Sequence, residues 1–254
     1  MFNSEFEAMK EASNNKIALL KNNFLGYIIM SILAGIYIGF GVILTNTLGA
    51  LLNGSPYTKL IMGITFSLGL CLVVIAGAEL FTGNNLVITI GFLKKELTLR
   101  QLLKIWFVCW LGNFLGSSLL AFIYHLTDLG NGAITEFMLQ ATKLKVLCPP
   151  VQLISRGILC NILVCLARWC TFRLKTESVK LIMIVLCILG FITAGFEHSV
   201  ANMTLFTTTL MNTYNSGVTI AQCLYNLLFV TLGNIVGGAI CVALPYYSVS
   251  KCKK

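Results

Sequence analysis

From Leu181 to Ser250 the chain has one charged residue, Glu197, and from Leu60 to Leu93 it has one, Glu79. A soluble domain carries about 25% charged residues; here the figure is 11%, with 57% hydrophobic residues. An ionised side chain at bilayer depth costs roughly 2.5–3.5 kcal/mol even on the lenient insertion scale. Runs of this kind therefore define an integral membrane protein, with apolar sequence for about six spans at about 20 residues each. The carboxylates left inside them need a reason to be there.

The net charge of +9 does not point to nucleic acid. Lys and Arg fall in the gaps between apolar runs, and no basic patch is interleaved with aromatic residues. Most of them lie in the terminal segments and in the loops at 94–104 and 173–180. By the positive-inside rule both termini are cytoplasmic, in a multi-pass protein of the inner (cytoplasmic) membrane, with lipid as its surroundings. The ten cysteines lie mostly within apolar runs and form no CxxC pair. That excludes a disulfide framework and a zinc site, and no metal or cofactor is expected.

Along the chain, residues 1–23 are polar and without a signal-peptide core. Phe2, Phe6 and Met9 keep helical spacing, which suits a cytoplasmic amphipathic segment on the membrane surface. A channel domain at 24–250 follows, with halves at about 24–126 and 151–247 and a cytoplasmic tail at 251–254. Span 1 is expected at Phe24–Leu48, span 3 at Ile105–His125, span 4 at Val151–Phe172 and span 6 at Ile220–Tyr246. The stretch 127–150 and the stretch 207–216 are expected as polar connections. Span 2 (60–93) is too long for one helix, and Gly77, Thr82, Gly83, Asn84 and Asn85 make poor helix interior. It reads as half-helices at about 60–77 and 86–94 around a loop at 78–85. Span 5 reads likewise, broken through Glu197-His198-Ser199, with its second half ending near 206.

The two halves match in order: GAELFTGNN in span 2 against GFEHSVANM in span 5, and GNFLG in span 3 against GNIVG in span 6. Three spans per half put the second half in from the opposite side. The fold expected is all-α, an inverted 3+3 repeat with spans 2 and 5 broken. Broken helices in matching places point to a binding site at the membrane midplane.

At that site His198 stands beside Glu197. A lone histidine in an apolar run is usually a packing residue, but one in a helix break is better placed to face a pore. Glu79 and Glu197 are read either as proton-relay groups or as acceptors for backbone N–H groups freed by the breaks; their symmetric placement favours the second. Lys145, before span 4, is either a solvated loop residue or a collector of anions. Phe66, Leu70, Leu80, Phe81 and Phe191 lie on or next to the broken helices, as packing or as an apolar constriction. Asn161 and Asn234 read as interhelical hydrogen bonders.

Four motifs, Gly77–Gly83, Cys160–Ala167, Gly195–Met203 and Gly233–Gly238, resemble those of the formate/nitrite transporter family. The resemblance covers all but the terminal tails. It implies an aquaporin-like protomer in a homopentamer, each subunit with its own pore. It implies that Leu70, Leu80 and Phe191 narrow the cytoplasmic side, that Phe66 belongs to the opposite constriction, and that Phe81 and Thr82 sit on a mobile loop breaking span 2. His198 would be the central pore histidine, with Thr82, Glu197, Asn161 and Asn234 as its polar surroundings, and Lys145 the anion-attracting lysine. Family members carry formate, nitrite, hydrosulfide, acetate or lactate. This chain departs from the formate-channel pattern at Gly83-Asn84-Asn85 and at Arg168, where an aliphatic residue is common. Within the family it is most similar to the clostridial hydrosulfide channels.

The function expected is passage of small monovalent anions of weak acids (hydrosulfide, formate, nitrite), not enzymatic catalysis. The alternative is a water or neutral-solute pore of aquaporin type. An Asn-Pro-Ala pair would support that, and no Asn-Pro occurs in the sequence. A membrane protease would need clustered His and carboxylate ligands, whereas His125 and His198 are the only histidines.

Overall fold

The computed structural model describes residues 2–212 and 217–250. The tail at 251–254 and the end of the connection at 207–216 lie outside them. The elements are α1 Asn3–Asn22, α2 Phe24–Leu51, α3 Thr58–Leu72 with a π-helical continuation Val73–Gly77, α4 Phe81–Leu93, α5 Leu99–Leu126, α6 Ala133–Val146, α7 Pro150–Arg173, α8 Glu177–Ala194, α9 Ser199–Asn212, α10 Ile220–Ile235 with a π-helical continuation Val236–Ala243, and α11 Leu244–Ser250. Six segments among the described residues are long and apolar enough to cross a bilayer: 24–51, 58–77, 99–126, 150–173, 177–194 and 220–250. The helices α4 and α9, of 13 and 14 residues, complete spans 2 and 5 as half-helices.

The two halves are built alike. Helix α2 packs on α3 and α5, and α7 packs on α8 and α10, with α3 against α8 joining the halves. The Gly-Asn-x-x-Gly repeat explains the close contact within each half. A Cβ on Gly116 would fall 2.0 Å from the Ile32 carbonyl oxygen of α2, and one on Gly237 would fall 2.4 Å from that of Ile158 in α7. Small residues let membrane helices approach this closely. Each break also begins the same way: Gly77 and Gly195 sit at φ 80° and 77°, the left-handed conformation that ends a helix and favours glycine.

The breaks are shorter than the sequence suggests. In span 2 only Ala78–Leu80 is non-helical, so Phe81, Thr82, Asn84 and Asn85 belong to α4 and not to a loop. Their poor propensity is offset because the Asn113 side chain takes the Phe81 N–H (2.9 Å) and Asn84 finds side-chain partners of its own. In span 5 Ser199 already starts α9, and that helix runs to Asn212 rather than to 206. The Thr207 and Thr208 hydroxyls donate to the carbonyls four residues back, at 2.8 and 2.9 Å, which suits threonine to a membrane-buried helix. Residues 127–150, read as a polar connection, contain α6. Ile134, Met138, Thr142 and Val146 recur every fourth residue and turn one side of it inward against α2, α9 and α10. Helix α1 is present as its spacing suggests, but Phe6 and Met9 are fully buried in the protein itself, with Leu86, Ile90, Trp169 and Val242.

Candidate functional site

Each break is held by an asparagine from the neighbouring span. Asn113 accepts from Phe81 N and donates to the carbonyls of Ser31 (2.7 Å) and Glu79 (2.9 Å). Asn234 accepts from Ser199 N (3.0 Å) and donates to the carbonyls of Gly157 (2.9 Å) and Glu197 (3.0 Å). Freed N–H and C=O groups at this depth have no water to turn to, so a side chain must satisfy them. This corrects the expectation that the glutamates do that work.

The glutamate carboxylates take side chains instead. Asn84 donates to Glu79 (2.8 Å), and the Lys16 ammonium pairs with the same carboxylate. Asn202 donates to Glu197 (2.7 Å), and Lys145 donates to both oxygens, at 2.9 and 2.8 Å. Lys145 is thus a helical residue in an ion pair, not a solvated loop cation. Its position is fixed further by Asn226, which donates to the Lys145 carbonyl and accepts from Asn202.

His198 precedes α9, and its Nδ1 accepts from Ala201 N at 3.1 Å. In the neutral ring the proton is then on Nε2. That atom lies 3.0 Å from the Thr82 hydroxyl, the second residue of α4. The two half-helices therefore meet end to end through one Thr–His hydrogen bond. With Nε2–H donating to Oγ1, the Thr82 hydroxyl hydrogen is free to point elsewhere. Around this pair Asn161 donates to the Thr82 carbonyl (3.3 Å), Asn85 Oδ1 (3.0 Å) and the Asn234 carbonyl (2.6 Å). The structure thus brings His198, Thr82, Asn161 and Asn234 together.

The apolar residues divide differently from the grouping the resemblance implies. The Phe191 ring stacks 6.0 Å from the His198 ring, and Phe66 meets Phe191 edge-on at 5.7 Å. Phe66 and Phe191 are therefore direct neighbours rather than members of opposite constrictions, because α3 and α8 run side by side at that level. Leu70 and Leu80 line a separate small cavity of about 30 Å³, together with Lys16 and Arg168. Phe81, although next to Leu80 in the chain, turns elsewhere. It lines a groove between α5 and α10 with Trp106, Trp110 and Leu227.

Lys16, Asn113, Asn84 and Asn202 escaped the sequence reading. The last three were legible in the repeat, since each asparagine recurs in register with its glutamate or glycine. No signal tied Lys16 to Glu79, because the contact joins segments 63 residues apart.

Apposed half-helices, each ending at a polar site inside a bundle of apolar spans, define a multi-pass membrane transporter of inverted-repeat type. The chain belongs to the formate/nitrite transporter family: the family model "Formate/nitrite transporter" matches residues 3–248. It is 41% identical to the nitrite transporter NirC of Escherichia coli (strain K12), over 93% of this chain and 88% of that one. It is 33% identical to the formate channel FocA of Haemophilus influenzae, over 88% of this chain and 86% of the relative. Among solved structures, an FNT family ion channel superposes with a TM-score of 0.90 at 37% identity, covering 96% of this chain and 98% of the other. A pentameric formate channel with formate bound superposes at 0.76 and 30% identity, covering 95% and 98%. The two relatives are named for nitrite and for formate, one of the two structures for formate, and the other only as a family ion channel.

Proposed function

We propose that the chain carries small monovalent anions of weak acids through its own pore, nitrite and formate foremost and hydrosulfide by the same chemistry. It works in the inner membrane with both termini cytoplasmic, as one subunit of a homopentamer. The nitrite- and formate-carrying relatives and the pentameric neighbour support this reading. The observation that carries it is the Thr82–His198 hydrogen bond joining the two half-helices. It lies beside the Phe66–Phe191 pair, with the Leu70–Leu80 constriction bounding the path on the α1 side.

A bare anion is unstable between apolar rings, so it must meet a hydrogen bond or a proton there. The Thr82 hydroxyl is free to donate to it, and His198, once it has taken up a proton from the aqueous side, can pass its Nε2 proton along the same bond and return to the neutral ring. The species crossing the rings is then neutral or nearly so. Asn161 Oδ1 and Ser199 Oγ are buried without a protein partner, and offer hydrogen-bonding positions beside the path.

The test is flux into liposomes holding the purified protein, comparing nitrite, formate, hydrosulfide and glycerol over a range of pH. Entry of the anions, faster as pH falls, is expected. Passage of glycerol with refusal of all three anions would overturn the reading in favour of a neutral-solute pore.

A further inference from the structure

The cavity on the inner side of Leu80 contains a cation that the permeation scheme does not use. Arg168, on α7, lines it alongside Lys16, Leu70, Leu80 and Asn84. Lys16 is paired with Glu79, so those two charges largely cancel. Among the described residues Arg168 has no ion-pair partner, and its guanidinium rests over the Phe172 ring at 4.9 Å. The nearby Glu177 is already paired with Lys180 at 3.0 Å. Arg168 therefore supplies the net positive charge of this mouth.

The repeat marks that charge as one-sided. Backbone contacts align α2 with α7 at a constant offset. Glu79 N bonds the Met30 carbonyl while Glu197 N bonds that of Arg156, and Asn113 bonds the Ser31 carbonyl while Asn234 bonds that of Gly157. Carried about three turns along, the same offset pairs Arg168 with Val42, a buried aliphatic residue. Both mouths have a Lys–Glu pair; at the Glu197 side the arginine of α7, Arg156, is bonded to Gln152 on the exposed surface, whereas Arg168 lines the cavity next to Leu80.

We propose that Arg168 is an anion-binding, selectivity-determining residue of the cytoplasmic mouth. It holds a carboxylate or nitrite oxygen pair by its planar fork before the anion passes Leu80. The cavity of about 30 Å³ admits about two water-sized groups, at roughly 10–15 Å³ each, which restricts it to small anions. The inference rests on the anion-carrier reading above.

The experiment compares inverted and right-side-out membrane vesicles from cells expressing the full chain or its R168Q and R168K variants. Initial formate and nitrite uptake is measured against concentration. In inverted vesicles, where entry is from the cytoplasmic face, R168Q should raise the half-saturating concentration about tenfold, the lower end of electrostatic focusing. R168K should raise it less, since charge remains and the fork is lost. In right-side-out vesicles both variants should stay within about twofold of the parent. An unchanged half-saturation in inverted vesicles overturns the proposal, as does an equal shift at both faces or one confined to right-side-out vesicles. If R168Q does not reach the membrane, R168K carries the test: wild-type saturation at the cytoplasmic face with R168K overturns the fork. A parent chain that carries neither anion overturns the anion-carrier reading itself, and this inference with it.

Discussion

The break at Glu79 and the break at Glu197 are two solutions to one problem, and the protein differs most where they part. Both begin with a left-handed glycine, both have an asparagine five residues after the glutamate, and both are held by an asparagine of the next span. Both glutamates end in a lysine ion pair. The lysines differ in origin: Lys145 comes from α6, packed among α2, α9 and α10, whereas Lys16 comes from α1, a helix laid against α4, α2 and α7 at one end of the bundle. The residue after the glutamate also differs: His198 in one break, Leu80 in the other. What recurs builds the breaks, and what does not recur is where one mouth or one side of the path is made different from the other.

The largest effect should come from the shared parts. N113A and N234A each leave a buried N–H and two carbonyls without their side-chain partner. At about 1–3 kcal/mol for an orphaned buried group, each should lose about 3 kcal/mol of stability in detergent thermal unfolding. The two losses should agree within about 1 kcal/mol. A harmless N113A beside a ruinous N234A would break the equivalence.

That equivalence was readable in the sequence, because Gly-Asn-x-x-Gly and the glutamate motif recur in register inside runs with no other charge. So were the six spans and both breaks, since apolar length alone forces them. The extent of each break was not. Phe81–Asn85 and Thr207–Asn212 are weak helix formers by propensity; the first is held by Asn113 of the next span, and in the second the Thr207 and Thr208 hydroxyls bond carbonyls of their own helix. Helix α6 was hidden by Glu136, Lys143 and Lys145, charges that interrupt its apolar pattern, although Lys145 itself turns in to Glu197. The partners of the lysines were invisible for the same reason: a tertiary ion pair leaves no periodic trace. The Phe66–Phe191 contact depends on how α3 lies along α8, which neither segment encodes by itself.

The glutamates sharpen the difference in origin. Breaking a buried ion pair by removing one partner costs about 3–5 kcal/mol, less where the cation can reach water. Helix α6 cannot withdraw Lys145, so E197Q should cost about 2 kcal/mol in the same unfolding measurement. Helix α1 can lift away and hydrate Lys16, so E79Q should cost only about 1 kcal/mol while making residues 3–22 more open to protease. Equal losses with no change in proteolysis would mean that α1 is as fixed as α6.

The unmatched residue should appear in flux rather than in folding. H198N keeps a polar side chain and removes the titrating ring. Anion flux near neutral pH should fall roughly tenfold, or about 1.4 kcal/mol, and its rise toward low pH should flatten. L80N, at the matching place, should alter rate without altering the shape of the pH profile. A parental profile in H198N would take the imidazole out of proton handling.

The smallest effect concerns what keeps α1, and with it Lys16, in place. Lys10 pairs with Glu96 at 2.9 Å and Asn14 adds a hydrogen bond at 3.3 Å, joining α1 to the loop after α4. The hydrogen bond from Lys10, then that from Asn14, hold the Glu96 carboxyl below the ordinary carboxylate range. A depressed carboxylate pKa contributes docking that is complete above the free-chain value and is lost as pH falls through the docked one. Protease access to α1 should therefore stay low and constant from pH 7 to about pH 5, and rise only in more acid solution. In E96Q it should be slightly higher at neutral pH and lose most of that acid dependence. Among the described residues the break at Glu197 has no such latch, because Lys145 is held by packing. A matching acid-dependent exposure of α6 would erase the distinction between a lysine built into the bundle and one delivered by a docked helix.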